Sequence, residues 1–241
     1  MKIAGYLKTS LIEWPGKISC VIFTPGCNFR CPFCHNRDLV DPKKTTKLPK
    51  IAEKEVFTDL KKRGKWIDGV VVSGGEPTLQ PGLDNFFKKI KQRGFLTMLE
   101  TNGSKSEVLK GLFKRKLIDR ITMDIKGPLD KRYNGIANCE LRIEEIKNSI
   151  ELIVNSGIEF EFRTTVVPGM HDGQILTEMA EQIKPLLQNT PGNLQTVWFL
   201  QIFQPKNCLD PKFDQLKPLE RMIMENYQQI LRKVIPRTQL R

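Results

Sequence analysis

The chain has 241 residues, 39% of them apolar, and a formal net charge of +12 at pH 7. This length and apolar content suffice for one buried core, so we expect a single domain over residues 1–241. No apolar run approaches the roughly 18 residues of a membrane-spanning helix, and residues 1–17 lack the apolar core of a secretory signal. We therefore expect a cytoplasmic location without membrane association. In that reducing compartment, six cysteines favour metal ligands, catalytic groups or buried small side chains over disulfides.

Basic residues occur in three clusters. A solvated surface is the simplest explanation of such clusters, and attraction to an acidic partner, protein or nucleic acid, is the alternative. No aromatic residues alternate with the lysines, so the sequence does not favour single-stranded nucleic acid, although it leaves nucleic acid open. The clusters comprise Lys43, Lys44, Lys47 and Lys50, then Lys61, Lys62, Arg63 and Lys65, then Lys114, Arg115 and Lys116.

Six short runs rich in β-branched and aromatic residues predict six strands. In chain order, these runs span 18–24, 69–74, 94–100, 118–126, 158–167 and 196–203. Segments with apolar residues at helical spacing alternate with them, several with a proline at the start or a glycine after the end. These predicted helices span 50–63, 81–93, 106–116, 140–156, 174–187 and 219–234.

The alternation of strands and helices predicts an α/β fold with a mostly parallel, open sheet and outer helices. The strand runs are apolar with little alternation, as expected for strands that are covered on both faces. Six strand–helix units fall short of the eight in a closed barrel, so we predict a partial (β/α)6 TIM-like barrel. Residues 1–17 form an irregular segment in this prediction, 18–203 the six units, and 204–241 a loop and C-terminal helix.

A polar or glycine-rich motif follows each predicted strand. The carboxyl ends of parallel strands meet at one edge of a sheet, where α/β proteins place their active sites. We therefore expect all six motifs to face one cavity. The motifs are PGCNFRCPFCHN (25–36), SGGEP (73–77), ETNG (100–103), DIKGP (124–128), RTTVVPG (163–169) and QIFQP (201–205).

The first motif places Cys27, Cys31 and Cys34 at CxxxCxxC spacing, directly before His35. A 4Fe–4S cluster ordinarily takes four thiolates, so three thiolates would leave one iron open. An open coordination position is typical of a catalytic metal site rather than a structural one.

Two other metal sites are compatible with part of this loop. A structural zinc needs a fourth ligand, and neither His35, next to Cys34, nor Cys20, inside a predicted strand, is well placed to supply it. CPFCH (31–35) also has the C-x-x-C-H spacing of covalent haem attachment, but that site leaves Cys27 unexplained.

The loop CNFRCPFC resembles the cluster loop of the radical S-adenosylmethionine (SAM) enzymes, including an aromatic residue, Phe33, before the last cysteine. SGGEP resembles the glycine-rich turn with which that family binds the methionine amino group. From Trp14 to about Gln204, the chain is similar to the activating enzymes of glycyl radical enzymes. Within them it most resembles the group that activates anaerobic ribonucleoside-triphosphate reductase, with the pyruvate formate-lyase activating enzymes as close relatives.

This resemblance implies a 4Fe–4S cluster on Cys27, Cys31 and Cys34, with S-adenosyl-L-methionine at the open iron. Reductive cleavage of SAM would give a 5′-deoxyadenosyl radical, which takes a hydrogen from a glycine of a partner glycyl radical enzyme. The implied partner is anaerobic ribonucleotide reductase, and the implied electron donor is a low-potential ferredoxin or flavodoxin.

The resemblance also assigns residues to the binding of SAM. Glu100 stands where relatives commonly carry aspartate, and it is one methylene longer. Asp124 precedes Lys126 by two positions on one predicted strand and is expected to pair with it. Arg163 is explained nearly as well by a structural ion pair. The assigned residues are Phe33, Gly74, Gly75, Glu76, Pro77, Glu100, Asn102, Lys126 and Arg163.

Other reactive side chains lie outside this set. His171 is a lone loop histidine, and we expect it at the surface. His35 follows the last loop cysteine and is expected to tune the surroundings of the cluster. Cys139 and Cys208 are expected to be buried or idle thiols, with an auxiliary ligand as the alternative for Cys208.

Two further hypotheses follow from the composition and the loop. The net charge of +12 motivates a radical SAM enzyme that acts on a nucleic acid or a small metabolite. The cysteine loop alone is also compatible with a zinc or haem binding module without catalysis.

Overall fold

The computed structural model describes residues 1–64, 66–188 and 197–241. Within these ranges, eight strands follow one another in chain order in one sheet. All six predicted strands are present, and residue 196 of the last one lies outside the described residues. The strands are β1 (Gly5–Ser10), β2 (Ser19–Thr24), β3 (Gly69–Gly74), β4 (Leu96–Thr101), β5 (Arg120–Asp124), β6 (Glu159–Val166), β7 (Trp198–Ile202) and β8 (Thr238–Leu240).

The sheet is mostly parallel. β1 pairs with β2 in the antiparallel direction, whereas β2 with β3, β3 with β4, β6 with β7 and β7 with β8 are parallel pairs. β2 and β3 are buried along almost their whole length, as expected for strands that are covered on both faces. The predicted α/β class with a mostly parallel open sheet is confirmed, and β1 and β8 are additions to it.

Nine α-helices occur within the described ranges. The six predicted helices correspond to six of the nine, each within a few residues of its predicted bounds. None of the nine is both long and apolar enough to span a membrane. The helices are α1 (Arg37–Val40), α2 (Pro42–Thr45), α3 (Glu53–Arg63), α4 (Leu83–Lys91), α5 (Ser106–Lys114), α6 (Arg132–Ala137), α7 (Ile143–Val154), α8 (Gly173–Ile183) and α9 (Arg221–Arg232).

The expectation of an irregular segment over residues 1–17 is wrong, because β1 lies within it. β1 has the sequence GYLKTS, in which too few apolar side chains occur to predict a strand, and half of its residues are exposed. α6 also departs from the prediction, since its six residues include a glycine, which lowers the helix propensity of the segment.

The chain groups into two compact units, and the expected single domain stays a prediction. The first unit comprises Met1–Asn28, Asp38–Thr101 and Glu107–Ile121. In it, the indole of Trp14 packs with buried side chains of β2, β3 and β4. A Cβ on Gly69 would lie 2.8 Å from the Trp14 ring, so a glycine at the start of β3 makes room for the indole.

Polar side chains hold β1 against α3 in the first unit. The Tyr6 hydroxyl donates to Asp59 at 2.6 Å, and Arg63 donates to both Asp59 and the Tyr6 oxygen. Burial, and then the hydrogen bond to Asp59, raise the pKa of Tyr6, so the phenol keeps its proton. Cys20 on β2 is fully buried, and burial raises the pKa of its thiol to about 12.

The second unit comprises Phe29–Arg37, Asn102–Ser106 and Thr122–Arg241. The indole N–H of Trp198 on β7 donates to the Thr164 hydroxyl on β6 at 3.0 Å. That hydroxyl donates to the carbonyl of Ile125 at 2.7 Å. The two bonds hold the chain in place directly before Lys126.

Candidate active site

The predicted site residues are divided equally between the two compact units. The first unit contains Cys27, Gly74, Gly75, Glu76, Pro77 and Glu100, and the second contains Cys31, Phe33, Cys34, Asn102, Lys126 and Arg163.

The cysteine loop follows β2 directly. The backbone N–H of Cys34 donates to the carbonyl of Cys31 at 3.0 Å, which closes the CPFC turn. All six cysteines of the chain are free thiols, so no disulfide uses a loop sulfur. Cys31 and Phe33 are buried, and Cys34 is half-buried. Burial raises the pKa of the Cys34 thiol, so an opposing charge is needed for it to ionise readily.

Lys126 is a largely buried cation that interacts electrostatically with the sulfurs of this turn. Its side chain is only 15% exposed, and its Nζ lies 2.9 Å from Oδ2 of Asp124, which confirms the predicted pair. Burial alone would lower the pKa of Lys126, but the charges of Asp124 and of the Cys31 and Cys34 sulfurs outweigh burial and raise it. The ammonium is therefore charged and within electrostatic reach of two loop thiols.

The glycines of SGGEP pack against the beginning of the cysteine loop. Gly74 has a φ angle of 120°, which favours glycine. A Cβ on Gly75 would lie 2.0 Å from the carbonyl oxygen of Gly26. Backbone hydrogen bonds from Gly75 to Thr24 and from Glu76 to Gly26, both 2.8 Å, complete this contact. The two glycines therefore allow two backbone segments to approach each other closely.

Glu76 is fully buried behind the same turn. Its Oε1 accepts hydrogen bonds from the N–H and the hydroxyl of Thr78 and from the Thr101 hydroxyl, at 3.0, 2.5 and 2.7 Å. The side chain thereby caps the 3₁₀ turn Pro77–Leu79 and ties it to the end of β4. These bonds fix the shape of the turn, and a direct contact between Glu76 and a cofactor stays a prediction.

Glu100 and Ser73 are half-exposed polar residues near the ends of two adjacent buried strands. The Ser73 hydroxyl donates to Oε2 of Glu100 at 2.6 Å. A carboxylate is purely an acceptor, so at this strand end it is suited to hydroxyl donors such as those of a ribose.

Asn102 shapes the turn that follows β4. Its Oδ1 accepts the N–H of Ser104 at 2.9 Å, a local bond that is typical of asparagine turns. The carbonyl of Gly103 accepts a hydrogen bond from the Ser149 hydroxyl on α7 at 2.6 Å. The turn is thus held by its own side chain and by a neighbouring helix.

Arg163 forms the structural ion pair that was its alternative explanation. Its guanidinium pairs with Glu161, two positions earlier on the same face of β6. Glu161 is 1% exposed and also contacts Arg241 at 3.3 Å. A contact between Arg163 and a cofactor stays a prediction.

The expectation of a surface position for His171 is wrong, because the residue is only 4% exposed. Nδ1 accepts the N–H of Val167 at 3.1 Å, so the ring proton is on Nε2, which donates to the carbonyl of Lys126 at 2.9 Å. Burial lowers the pKa of His171 and favours this neutral ring. The imidazole therefore joins the end of β6 to the residue that carries the ammonium. No sequence pattern marks this role, since it depends on a partner far away in the chain.

Two segments support the cysteine loop within the second unit. The N–H of Asp210 donates to the carbonyl of Pro32 at 2.9 Å, and the Asn207 amide donates to the carbonyl of His35 at 3.3 Å. The His35 ring lies edge-on to Phe203, with ring centroids 5.9 Å apart.

Helix α6 supports the first part of the same loop. Its Ala137 carbonyl accepts the N–H of Arg30 at 3.0 Å, and its Tyr133 ring lies edge-on to the Phe29 ring, with centroids 6.2 Å apart.

Cys208 is buried, as predicted, and it lies between Asn207 and Asp210 in the segment that supports the cysteine loop. Its N–H donates to Asp214 at 2.8 Å. Burial, and then Asp214, raise the pKa of its thiol to about 11, and Cys34 contributes to the same shift. Cys139 is half-buried, and its Sγ lies 3.7 Å from Oδ1 of Asn134.

The cysteine loop offers free thiols as metal donors. Within residues 1–64, 66–188 and 197–241, no three His, Cys, Asp or Glu side chains lie together as ligands of one metal ion. The thiolates of a cubane cluster each bind a different iron, so they need not converge on one point. Free thiols with a charged lysine near two of them suit an anionic, thiolate-bound cluster.

Comparison with known proteins identifies the family. The chain matches the family model of the radical SAM superfamily over residues 21–180. A protein of Methanocaldococcus jannaschii, named as a glycyl-radical enzyme activating enzyme, is 34% identical over 220 residues, which cover 89% of this chain and 85% of that protein. The pyruvate formate-lyase-activating enzyme of Clostridium pasteurianum is 30% identical over 196 residues, which cover 78% of this chain and 74% of that enzyme.

Solved structures show the same fold. A domain of the pyruvate-formate lyase-activating enzyme from Bacteroides vulgatus has a TM-score of 0.57 at 18% identity, over 72% of this chain and 98% of that domain. SuiB of Streptococcus suis, bound to S-adenosylmethionine, has a TM-score of 0.64 at 13% identity, over 92% of this chain and 51% of SuiB. At these identities the likeness establishes the fold alone.

The cysteine spacing, the free thiols and the relatives at 30% identity or more agree with one another. The protein is an enzyme whose cofactors are a 4Fe–4S cluster and S-adenosyl-L-methionine. The chain belongs to the radical SAM superfamily and, within it, to the family of glycyl-radical enzyme activating enzymes.

Proposed function

We propose that the protein activates a glycyl radical enzyme, and that this partner is an anaerobic ribonucleotide reductase. When bound, the cluster and SAM supply reductive cleavage and the hydrogen-abstracting radical that results from it. The chain itself supplies the cluster ligands, a fixed positive charge and a shaped cofactor turn.

We assign Cys27, Cys31 and Cys34 as the cluster ligands. Three protein thiolates would leave one of the four irons of the cluster free for SAM. Lys126 stabilises the negative charge of the thiolates, because its ammonium stays protonated and interacts electrostatically with Cys31 and Cys34. Asp124 holds its Nζ, and the imidazole of His171 holds its backbone carbonyl.

We assign the remaining cofactor contacts to strand ends and turns. Backbone groups of the SGGEP turn, whose shape depends on buried Glu76, orient the methionine part of SAM. The carboxylate of Glu100 accepts ribose hydroxyls. The other assigned contacts are Phe33, Gly74, Gly75, Pro77, Asn102, Lys126 and Arg163.

The observation that carries this proposal is the CxxxCxxC loop of free thiols in a chain of this family, and the buried ammonium of Lys126, which Asp124 holds at 2.9 Å, supports it. A buried, charged lysine serves no packing purpose that a neutral side chain would not serve better. In a chain of this family, an anionic cluster at the thiols gives the charge a function.

Anaerobic reconstitution with iron and sulfide tests the cluster and the cleavage. The protein should bind close to four irons per chain and release 5′-deoxyadenosine from SAM when it is reduced. Cys27→Ala, Cys31→Ala and Cys34→Ala should each abolish release, whereas Cys139→Ala, a half-buried cysteine outside the loop, should not. Full activity of any one loop variant would refute the ligand assignment.

The partner is tested separately with purified glycyl radical enzymes. Incubation with an anaerobic ribonucleotide reductase should give a glycyl radical signal by electron paramagnetic resonance (EPR). Pyruvate formate-lyase is the matched control, and a signal with it alone would transfer the partner assignment to that enzyme.

The charge of +12 favours one second candidate, a radical SAM enzyme acting on a nucleic acid or small metabolite. The two candidates differ in the product that accompanies 5′-deoxyadenosine. Incubation with tRNA and mass spectrometry of its nucleosides would support the second candidate if a modified base appeared without any glycyl radical partner.

We further propose that a low-potential ferredoxin or flavodoxin supplies the electron and that the protein works in the reducing cytosol. Six free thiols support the compartment, because they persist where disulfides do not form. Stopped-flow mixing with a reduced ferredoxin or flavodoxin should bleach the absorbance of the oxidised cluster. If neither donor causes bleaching, the proposed electron donor is rejected.

A further inference from the structure

A groove in the first unit lies apart from all residues assigned to the cluster and SAM. It has a volume of about 910 Å³ and is lined by α3 and by the segment that leads from α4 into β4. Half-buried Phe57 and buried Leu60 and Phe95 form its apolar floor. Exposed Lys54, Lys61, Lys89 and Arg93 lie around that floor.

The groove is strongly positive. Of the residues that line it, four are cations, and the only carboxylate is Glu53. That carboxylate is engaged by Lys89 at 2.8 Å. Lys54 and Lys61 form no ion pair with any part of the chain that the structure describes. Of the basic cluster that the sequence places around Lys61, Lys61 itself borders this apolar floor.

We propose that this groove binds an acidic segment of a partner protein, with one apolar side chain of the segment seated on Phe57 and Phe95. An apolar centre with a polar, charged rim is the usual anatomy of a protein interface. Carboxylates on both sides of the apolar anchor would meet the lysines of the rim, and this charge complementarity selects acidic partners.

The aromatic rings of the groove favour a polypeptide over single-stranded nucleic acid. Base stacking needs an accessible ring face. The guanidinium of Arg93 lies over one face of Phe57, 4.3 Å from the ring centroid, and Phe86 packs on Phe57 at 5.4 Å. Phe95 is buried. The rings therefore offer an apolar surface for an aliphatic side chain but no stacking platform.

The polar groups of the groove favour a macromolecule over a small ligand. Small-molecule sites orient their ligand with a few convergent polar groups inside the pocket. Here the charges are on long, exposed side chains at the rim. Trp66, two residues beyond the groove residue Gly64, is 75% exposed, and tryptophan is enriched among the residues that dominate protein interfaces.

The test uses the full chain and a fluorescein-labelled acidic peptide with a single leucine among Asp and Glu residues. Fluorescence anisotropy measures its affinity and that of a second peptide with the leucine replaced by alanine. Trp66 provides an independent signal, because the other two tryptophans, Trp14 and Trp198, are buried. Binding near α3 should shift its emission to shorter wavelength.

Charge reversal tests the rim. Lys54→Glu combined with Lys61→Glu should weaken the leucine peptide by about tenfold, as expected for two exposed charges that change from attraction to repulsion. Lys88→Glu, an exposed lysine of α4 that does not line the groove, is the matched control and should have little effect. An equal loss of affinity with Lys88→Glu would show that binding depends only on the general surface charge, and this result would overturn the proposal.

The floor is tested by a double-mutant cycle between Phe57 and the leucine of the peptide. Phe57→Ala should weaken the leucine peptide several-fold and leave the alanine peptide almost unchanged. If circular dichroism shows that the Phe57→Ala variant is unfolded, the Phe57→Leu variant is used in the cycle instead. Absence of coupling between Phe57 and the leucine would overturn the proposal. Oligothymidine and phosphatidylserine vesicles are tested as competing ligands. The proposal would also be overturned if either bound more tightly than the leucine peptide and lost this binding in the Lys54→Glu, Lys61→Glu variant.

Discussion

A methyl group on Gly75 would lie 2.0 Å from the carbonyl oxygen of Gly26, so the SGGEP turn and the cysteine loop are in backbone contact. The register of the sheet produces this contact, because β2 and β3 pair in parallel as far as Thr24 and Gly74. The two motifs that are predicted to hold the cofactors are therefore packed together, and a change in one should affect the other.

Gly75→Ala should lower the free energy of unfolding by about 1–3 kcal/mol, the usual cost of forcing a methyl group into a packed site. It should also lower the iron content after reconstitution, because the loop beginning at Gly26 has to move. Urea unfolding and iron analysis measure the two effects. Gly111→Ala is the control, since the position is inside α5 and a Cβ there would have no atom within 4 Å apart from its chain neighbours and the backbone of its own helix. That change should stabilise the protein by about 0.5–1 kcal/mol.

Lys126→Gln should lower the midpoint potential of the cluster. A positive charge near the thiolates favours the reduced, more negative cluster. Removal of this charge should therefore lower the midpoint potential by on the order of 50–100 mV. An anaerobic redox titration followed by EPR measures the shift. Lys126→Arg keeps the charge and should retain most of the potential. Equal potentials for the Gln variant and the unmodified protein would show that the ammonium acts elsewhere.

The buried imidazole of His171 should make stability depend on pH. Its pKa is lowered from 6.5 in the folded protein, so the unfolded chain takes up the proton first as the pH falls. The contribution of the neutral ring is fully present above about pH 6.5 and is lost as the pH falls through the lowered value. Urea unfolding between about pH 7.5 and pH 5 should show this loss.

A variant separates His171 from the other histidine of the chain, His35, whose pKa burial also lowers. At about pH 7.5, His171→Ala should lower the free energy of unfolding by about 1–3 kcal/mol, because the Val167 N–H and the Lys126 carbonyl lose a buried partner. The difference from the unmodified protein should shrink at lower pH. A constant difference would mean that the ring is not the group that titrates.

The buried carboxylate of Glu161 should be important for stability. Glu161→Gln removes the negative charge that Arg163 and Arg241 share, and loss of one partner of a buried pair typically costs about 3 kcal/mol. Glu144→Gln is the matched control, because its pair with Lys147 is exposed and should contribute less than about 0.5 kcal/mol. Similar thermal midpoints for the two variants would contradict the assignment.

The regular elements of the fold could be predicted because their signal is local. β2 and β3 are continuous apolar runs, and α4 has its apolar residues on one face, so a short window of sequence suffices. β1 could not be predicted this way, since an antiparallel edge strand with exposed residues has no apolar run. Its place in the sheet depends on distant partners such as Asp59 and Arg63, which bind Tyr6.

By itself, the sequence was enough to predict a cluster on Cys27, Cys31 and Cys34, because their spacing is a property of eight consecutive positions. Only the tertiary structure decided that Glu76 is a buried capping group, that His171 supports Lys126, and that Gly75 packs against Gly26. These roles depend on atoms that lie far apart along the chain and meet through strand register and packing. A side chain that acts through such a partner has no local pattern from which it could be recognised.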